Sequence, residues 1–146
     1  MKPSAFIASS FKGKPQAGAL TLSKKMQVEI KRFIGRAYSP AKVRYWTDGT
    51  RTAWILSEIG KTKPITTGYV VAKGKIERVQ VLIYRESHGW EVRQPFFTRQ
   101  FSGAGLDHKA KLSKRIDNIS GATLSVTALT KMAKLALYLE RQRVGS

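Results

Sequence analysis

Thr67-Gly68-Tyr69-Val70-Val71-Ala72-Lys73-Gly74-Lys75-Ile76-Glu77-Arg78-Val79-Gln80-Val81-Leu82-Ile83-Tyr84 reads as two β-strands joined at a glycine-bearing turn. Val79, Val81 and Ile83 alternate with Arg78, Gln80 and Leu82, and this period of two sends successive side chains to opposite faces of a sheet. A second pair lies just upstream: Val43 to Thr47 and Arg51 to Leu56 flank Asp48-Gly49, a dipeptide that accepts the positive φ angles of a tight hairpin. Together the pairs predict an antiparallel sheet of about four strands.

Helical spacing appears on either side of that sheet. Met26, Val28, Ile30, Phe33 and Ile34 follow Ser23 and precede Gly35, which predicts a helix of about three turns capped by Ser23 and stopped by Gly35. Leu129, Met132, Leu135, Ala136 and Leu139 share one stripe while Lys131, Lys134 and Arg141 take the other, so a C-terminal helix is expected from near Thr123. The alternation stops from Arg85 to Arg93, where a polar loop precedes Pro95-Phe96-Phe97, a sequence suited to opening a short helix. Residues 102 to 109 read as connection. Residues 1 to 21 are rich in Ser, Gly, Pro and Ala and read as an arm, with Phe6, Ile7 and Phe11 forming a short helical face. The expected class is α+β, one structural domain overall, with an arm and helix over 1–39 ahead of the main body at 40–146.

The chain's 146 residues suit one hydrophobic core. It has no cysteine, which excludes disulfide frameworks, thiolate metal sites and thiol nucleophiles. No apolar run approaches the roughly 18 residues that span a bilayer, so the chain as given is expected to be soluble. An export signal already removed would leave the same sequence. Twenty-seven Lys and Arg face nine Asp and Glu, a formal charge of +18. Such a field attracts nucleic acid, anionic lipid or an acidic protein, and does not choose among them.

One stretch carries chemistry. Asp117-Asn118-Ile119-Ser120-Gly121-Ala122-Thr123-Leu124-Ser125 places small and hydroxyl residues at the entrance of the terminal helix. Free N–H groups and the positive helix end attract phosphate there, and Gly121 and Ala122 permit close approach. Lys111, Lys114 and Arg115 add positive charge nearby. Ordinary capping by Ser120 or Thr123 explains the same residues without any ligand.

Other catalytic patterns are missing or poor. Ser120 lacks the glycine two positions earlier that a nucleophile elbow needs, His88 and His108 are isolated, and Lys73-Gly74-Lys75 lacks phosphate-loop spacing.

The string Asp117-x-x-Ser120-Gly121-Ala122-Thr123 resembles the flavinylation motif of the FMN-binding domain family, found in the sodium-pumping quinone reductase and Rnf complexes and in exported flavoproteins. The resemblance extends to Trp54-Ile55-Leu56, Gly60-Lys61, Pro64-Ile65-Thr66, Val81 to Ser87, Gly89 to Arg93 and Gln100-Phe101, over roughly residues 40 to 140. It implies FMN bound to Thr123 by a phosphoester that a dedicated flavin transferase makes from FAD. Asp117 would be a recognition or metal-proximal residue in that transfer, or would simply bond loop amides. The loop Tyr84-Arg85-Glu86-Ser87-His88-Gly89-Trp90-Glu91 is the candidate for holding the flavin ring, by stacking on Tyr84 or Trp90 and hydrogen bonding from Arg85 or His88. Core packing is the alternative fate of the aromatics.

The implied function is electron transfer between partners: an acidic redox protein such as a cytochrome, or a membrane reductase, with an anionic membrane surface as a further attraction and an extracytoplasmic, periplasmic location. A nucleic-acid-binding module is the rival suggested by charge, although no recognition motif supports it. A flavin reductase holding FMN without a covalent bond is the third reading.

Overall fold

In the computed structural model, which describes residues 1–145, five strands form one antiparallel sheet in the order β1-β2-β3-β4-β5. Along the chain the elements are α1 (Pro3–Ser10), β1 (Gln16–Thr21), α2 (Lys24–Ile34), β2 (Lys42–Thr47), β3 (Arg51–Ile59), β4 (Pro64–Ala72) and β5 (Lys75–Ile83). Then α3 (Pro95–Thr98) lies between the 3-10 turns Trp90–Arg93 and Arg99–Phe101, and α4 (Thr123–Gly145) ends the fold. The α+β class, the single domain and the terminal helix agree with the sequence reading, and the segment before residue 40 supplies α1, β1 and α2 to the same sheet and core.

The strand count needs correcting from about four to five. The extra strand, β1, comes from the arm and pairs with β2 from Gln16↔Thr47 to Thr21↔Lys42. Its sequence, Gln-Ala-Gly-Ala-Leu-Thr, has no aromatic and little branching, so local strand preference is weak. Gly18 suits its packing instead, because the Tyr45 ring lies across the space where a Cβ would stand and would have to shift to admit one.

Local signals account for the turns. Lys73 (φ 53°) and Gly74 (φ 73°) form the two-residue link between β4 and β5, with both residues in the left-handed region that such a hairpin demands. Asp48 Oδ1 accepts from the N–H groups of Thr50 and Arg51 at 2.9 and 2.8 Å and sets the β2–β3 turn. Ser23 caps α2 by accepting from Met26 N–H at 3.2 Å, and Gly35 (φ 88°) closes that helix. Val28, expected on the apolar stripe of α2, turns outward.

The sheet has a layer on each face. Trp54, Leu56, Tyr69 and Val71 pack beneath α4 with Leu129, Met132 and Leu135, and the Tyr69 hydroxyl donates to the Leu129 carbonyl at 2.7 Å. On the opposite face Phe6 and Phe11 cover Ala53, Val70 and Leu82. Phe6 lies on Gly68 so closely that a Cβ there would come within 2.5 Å of the ring. Phe6→Ala therefore empties most of this small second core. The expected cost is about 3–5 kcal/mol, measured as a fall in the denaturant midpoint at unchanged m-value. A loss below 1 kcal/mol would show that α1 is not part of the folded unit.

Candidate functional site

Three segments far apart in sequence meet at one end of the sheet around a cavity of about 570 Å³. Lys61 and Thr62 come from the β3–β4 turn, Glu86 to Gly89 from the loop after β5, and Gly121 to Ser125 from the start of α4. Another depression of about 520 Å³ lies over β2 and β3 beside Tyr38 and Trp46, and contains none of the motif residues.

The first wall is fixed by a carboxylate. Glu86 Oε1 accepts from the N–H groups of Thr62 and Lys63 at 2.7 and 2.6 Å, tying the β3–β4 turn to the loop after β5. These two hydrogen bonds, Thr62 first, hold the Glu86 carboxyl below its ordinary pKa. A depressed folded value means that the stabilisation is complete above the normal glutamate range and is lost as pH falls through the lowered value. Hydrogen exchange at Thr62 and Lys63, corrected for intrinsic rates, should therefore accelerate selectively in acid. In Glu86→Gln the two amides should be less protected at neutral pH and show no such step. Equal protection of parent and variant would remove Glu86 from this role.

The second wall is locked to the third through Tyr84. Its hydroxyl donates to the His88 carbonyl and receives the Ser125 hydroxyl at 2.9 Å, joining the loop to α4. Burial pushes the Tyr84 pKa up; the Ser125 bond opposes this, while the charges of Glu86 and Glu91 add to the rise. The phenol thus stays protonated as a donor. Gly89 is buried against the link, with φ +83°, and a Cβ on it would stand 2.7 Å from the Tyr84 hydroxyl and 2.9 Å from Ser125 Oγ.

The third wall is the helix entrance. Gly121 takes φ +83° to turn the chain, Ala122 N–H donates to Ile119, and the first helical bond runs from Val126 N–H to Ala122. Among the described residues, the N–H groups of Thr123, Leu124 and Ser125 meet no acceptor. Ala122, just ahead of the helix, has no side-chain oxygen to cap them. Thr123 is exposed at the cavity, and its Oγ1 accepts from Asn118 Nδ2 at 3.0 Å. Upstream, Asp117 N–H donates to Gln100 Oε1 at 2.8 Å, while the Asp117 carboxylate faces solvent, 3.9 Å from Arg115 Nε.

Of the residues selected from sequence, Glu86, His88, Gly89, Gly121, Ala122, Thr123, Leu124 and Ser125 line this one cavity. Tyr84 stands behind the wall as its tie. Arg85 is drawn onto β4, donating to the Pro64 carbonyl at 2.8 Å and to Thr66 Oγ1 at 3.3 Å. Trp90, Asp117 and Ser120 are exposed outside the lining. Ser87, within the candidate loop, lines the cavity too, and Lys61 and Thr62 do so without having been selected; Gly60-Lys61 belonged to the resemblance, and the Ile59↔Pro64 pairing brings that turn to the motif's end of the sheet. Asn118, hidden at an unspecified position of the motif, is the residue that bonds Thr123.

The donor set suits a phosphorylated planar cofactor. Three N–H groups without acceptors, an exposed hydroxyl and Lys61 stand at one cavity, donors of the kind that bind a phosphate, and about 570 Å³ between loop and helix is enough for a ring system. No curated protein matches the chain significantly. Residues 60–138, more than half of the chain, match the family model of the FMN-binding domain; the match begins at the turn that forms the first wall and takes in every lining residue. The chain belongs to the FMN-binding domain family, and FMN is the cofactor that this assignment supports.

Proposed function

We propose that this protein is an electron-transfer domain that carries FMN covalently, through a phosphoester on the Thr123 hydroxyl. The observation that supports this most directly is the exposed Thr123 hydroxyl, set beside three N–H groups without acceptors at a cavity one wall of which is Gly121 to Ser125. In the attachment reaction Thr123 Oγ attacks the FMN-side phosphorus of FAD. The new O–P bond replaces the pyrophosphate bond, AMP leaves and the hydroxyl proton is released. Asn118 donates to Oγ1 and so leaves the hydroxyl hydrogen free to point elsewhere.

A threonine hydroxyl is a weak nucleophile without a base, and the side chain bonded to Thr123 Oγ1 is the Asn118 amide, which is no base. On this reading a flavin transferase supplies the base. The free amides, the helix dipole and Lys61 neutralise the phosphate, while the Glu86 and Tyr84 ties keep the walls in place. Bound FMN supplies reversible electron storage, and the protein sets its surroundings. The +18 charge suits an acidic redox protein or a membrane reductase as partner, and the resemblance implies an extracytoplasmic location.

The test is co-expression with a flavin transferase and FAD, followed by intact mass and flavin fluorescence after denaturation. The expected product has gained one FMN less water and stays fluorescent when unfolded. Flavin that washes away on unfolding, despite an active transferase, would favour a non-covalent FMN protein and overturn the covalent reading.

A further inference from the structure

The depression over β2 and β3 lies on the α1 side of the sheet. Its lining includes Pro3 of α1, Arg36, Lys42, Arg44, Trp46 and Ile55, and Trp46 and Ile55 pack against the small core of Phe6 and Phe11. Hydrogen bonds carry the same layer across the sheet. Ser57, also in the lining, bonds Thr66 Oγ1 at 2.9 Å, and Arg85 donates to that oxygen at 3.3 Å. Arg78 of β5 donates to Ser9 Oγ and Ser10 Oγ of α1 at 2.9 and 3.1 Å. Lys42, Arg44, Arg78 and Arg85 thus share one layer, and none of them belongs to an ion pair among the described residues. Two carboxylates that reach this layer are engaged, Glu58 with Arg36 at 2.7 Å and Glu77 with Arg51 at 2.8 Å. Residues 1–28, which supply α1 and β1, hold five lysines and no Asp or Glu.

We infer that this layer is a binding surface for anionic lipid headgroups, with α1, Lys42 and Arg44 turned to the membrane. Lys42 and Arg44 stand on β2 and Arg78 on β5, three strand spacings or roughly 14 Å apart. Cations spread in two dimensions suit a charged plane, and a partly exposed indole among them suits the bilayer interface. A single nucleic-acid strand instead needs free rings on which its bases stack. Here the Trp46 ring carries the Arg44 guanidinium 5.0 Å from its centroid and packs on the small core, while Tyr38 packs on the main one. The inference goes beyond flavin attachment and does not depend on it. The depression shares no lining residue with the Thr123 cavity, so lipid and cofactor occupy different places.

The test measures co-sedimentation of the full chain with phosphatidylcholine vesicles, with and without phosphatidylglycerol. Binding should require phosphatidylglycerol and weaken with salt. Lys42→Gln, which removes one exposed charge, should weaken partitioning about fivefold, and Lys42→Glu/Arg44→Glu more than about 25-fold. Arg32→Glu/Lys109→Glu makes the same change in net charge at a depression beside Tyr138 of α4, on the other side of the sheet. That pair should change partitioning no more than about twofold at physiological ionic strength. Thr123→Ala, without covalent flavin, should bind vesicles like the parent.

Equal losses in the two double variants would show that net charge alone acts and would overturn the surface, and Lys42→Gln binding like the parent would do the same. Equal binding to pure phosphatidylcholine, or no binding to either vesicle, would overturn the headgroup assignment. Displacement from the vesicles by an equal concentration of charge on polyglutamate or a single-stranded oligonucleotide would make the layer a site for an acidic protein or nucleic acid instead. Failure of Thr123 loading with vesicle binding intact would remove the covalent reading and leave this surface standing.

Discussion

Thr123→Ala will abolish the covalent adduct, while Thr123→Ser will retain it. Five hydroxyl side chains lie close together at the helix entrance, and the structure separates them. Ser125 is buried and bonded to Tyr84, Thr127 donates to the Thr123 carbonyl at 2.9 Å, Thr130 donates to Val126 at 2.8 Å, and Ser120 stands outside the cavity lining. Only Thr123 presents an exposed hydroxyl at the cavity beside free helix amides. Because the residue is exposed at the first position of α4, alanine should change folding stability by no more than about 0.5 kcal/mol. Loss of flavin from a protein that melts normally would then be a chemical effect. Intact mass and peptide mapping after co-expression with the transferase provide the measurement, and an adduct surviving at Ser120 or anywhere else in Thr123→Ala would defeat the assignment.

Gly89→Ala is expected to damage both stability and flavin loading. A β-carbon at φ +83° costs about 1–2 kcal/mol in backbone strain. It also meets the Tyr84 hydroxyl at 2.7 Å and Ser125 Oγ at 2.9 Å, and neither can move freely, since each holds the other and Ser125 sits on α4. With overpacking added, the loss should reach about 2–4 kcal/mol. Relief comes by opening the loop away from the helix, which widens the cavity and should lower flavin incorporation several-fold. Adding Tyr84→Phe removes one of the two clashing atoms. The double variant should therefore be less unstable than the sum of the singles, by roughly 0.5–1.5 kcal/mol in a double-mutant cycle. Strict additivity, or Gly89→Ala loading flavin like the parent, would show that the loop and helix are not coupled through this contact.

Much of the fold could be read from sequence because its signals are local. Asp48-Gly49, Lys73-Gly74, the Ser23 cap and the Gly35 stop each act within a few residues, and the stripe of α4 is regular. The strand β1 could not be read in that way. Its small residues suit the approach of the Tyr45 ring on a neighbouring strand, a contact visible only after pairing. The site divides similarly. The motif located the third wall, and the break in alternation after Tyr84 located the second. The roles of individual loop residues were less legible, since geometry decides them: Glu86 is engaged with a distant turn, Arg85 is held on β4, and Tyr84 serves as a tie. Lys61 and Thr62 reach the cavity because the β3–β4 hairpin ends there, which periodicity alone does not reveal.

The gathering of the cavity from residues 61–62, 86–89 and 121–125 has a consequence for biogenesis. Until β4 and β5 are paired and α4 has docked, Thr123 is one hydroxyl among several on a loose segment, and the amides beside it are solvated like any others. The acceptor becomes distinct only after the last third of the chain has been synthesised and packed. If Thr123 is loaded as proposed and the assembled cavity is what is recognised, maturation has a fixed order in which tertiary assembly precedes loading. The yellow colour of a loaded molecule would then double as a record that it folded.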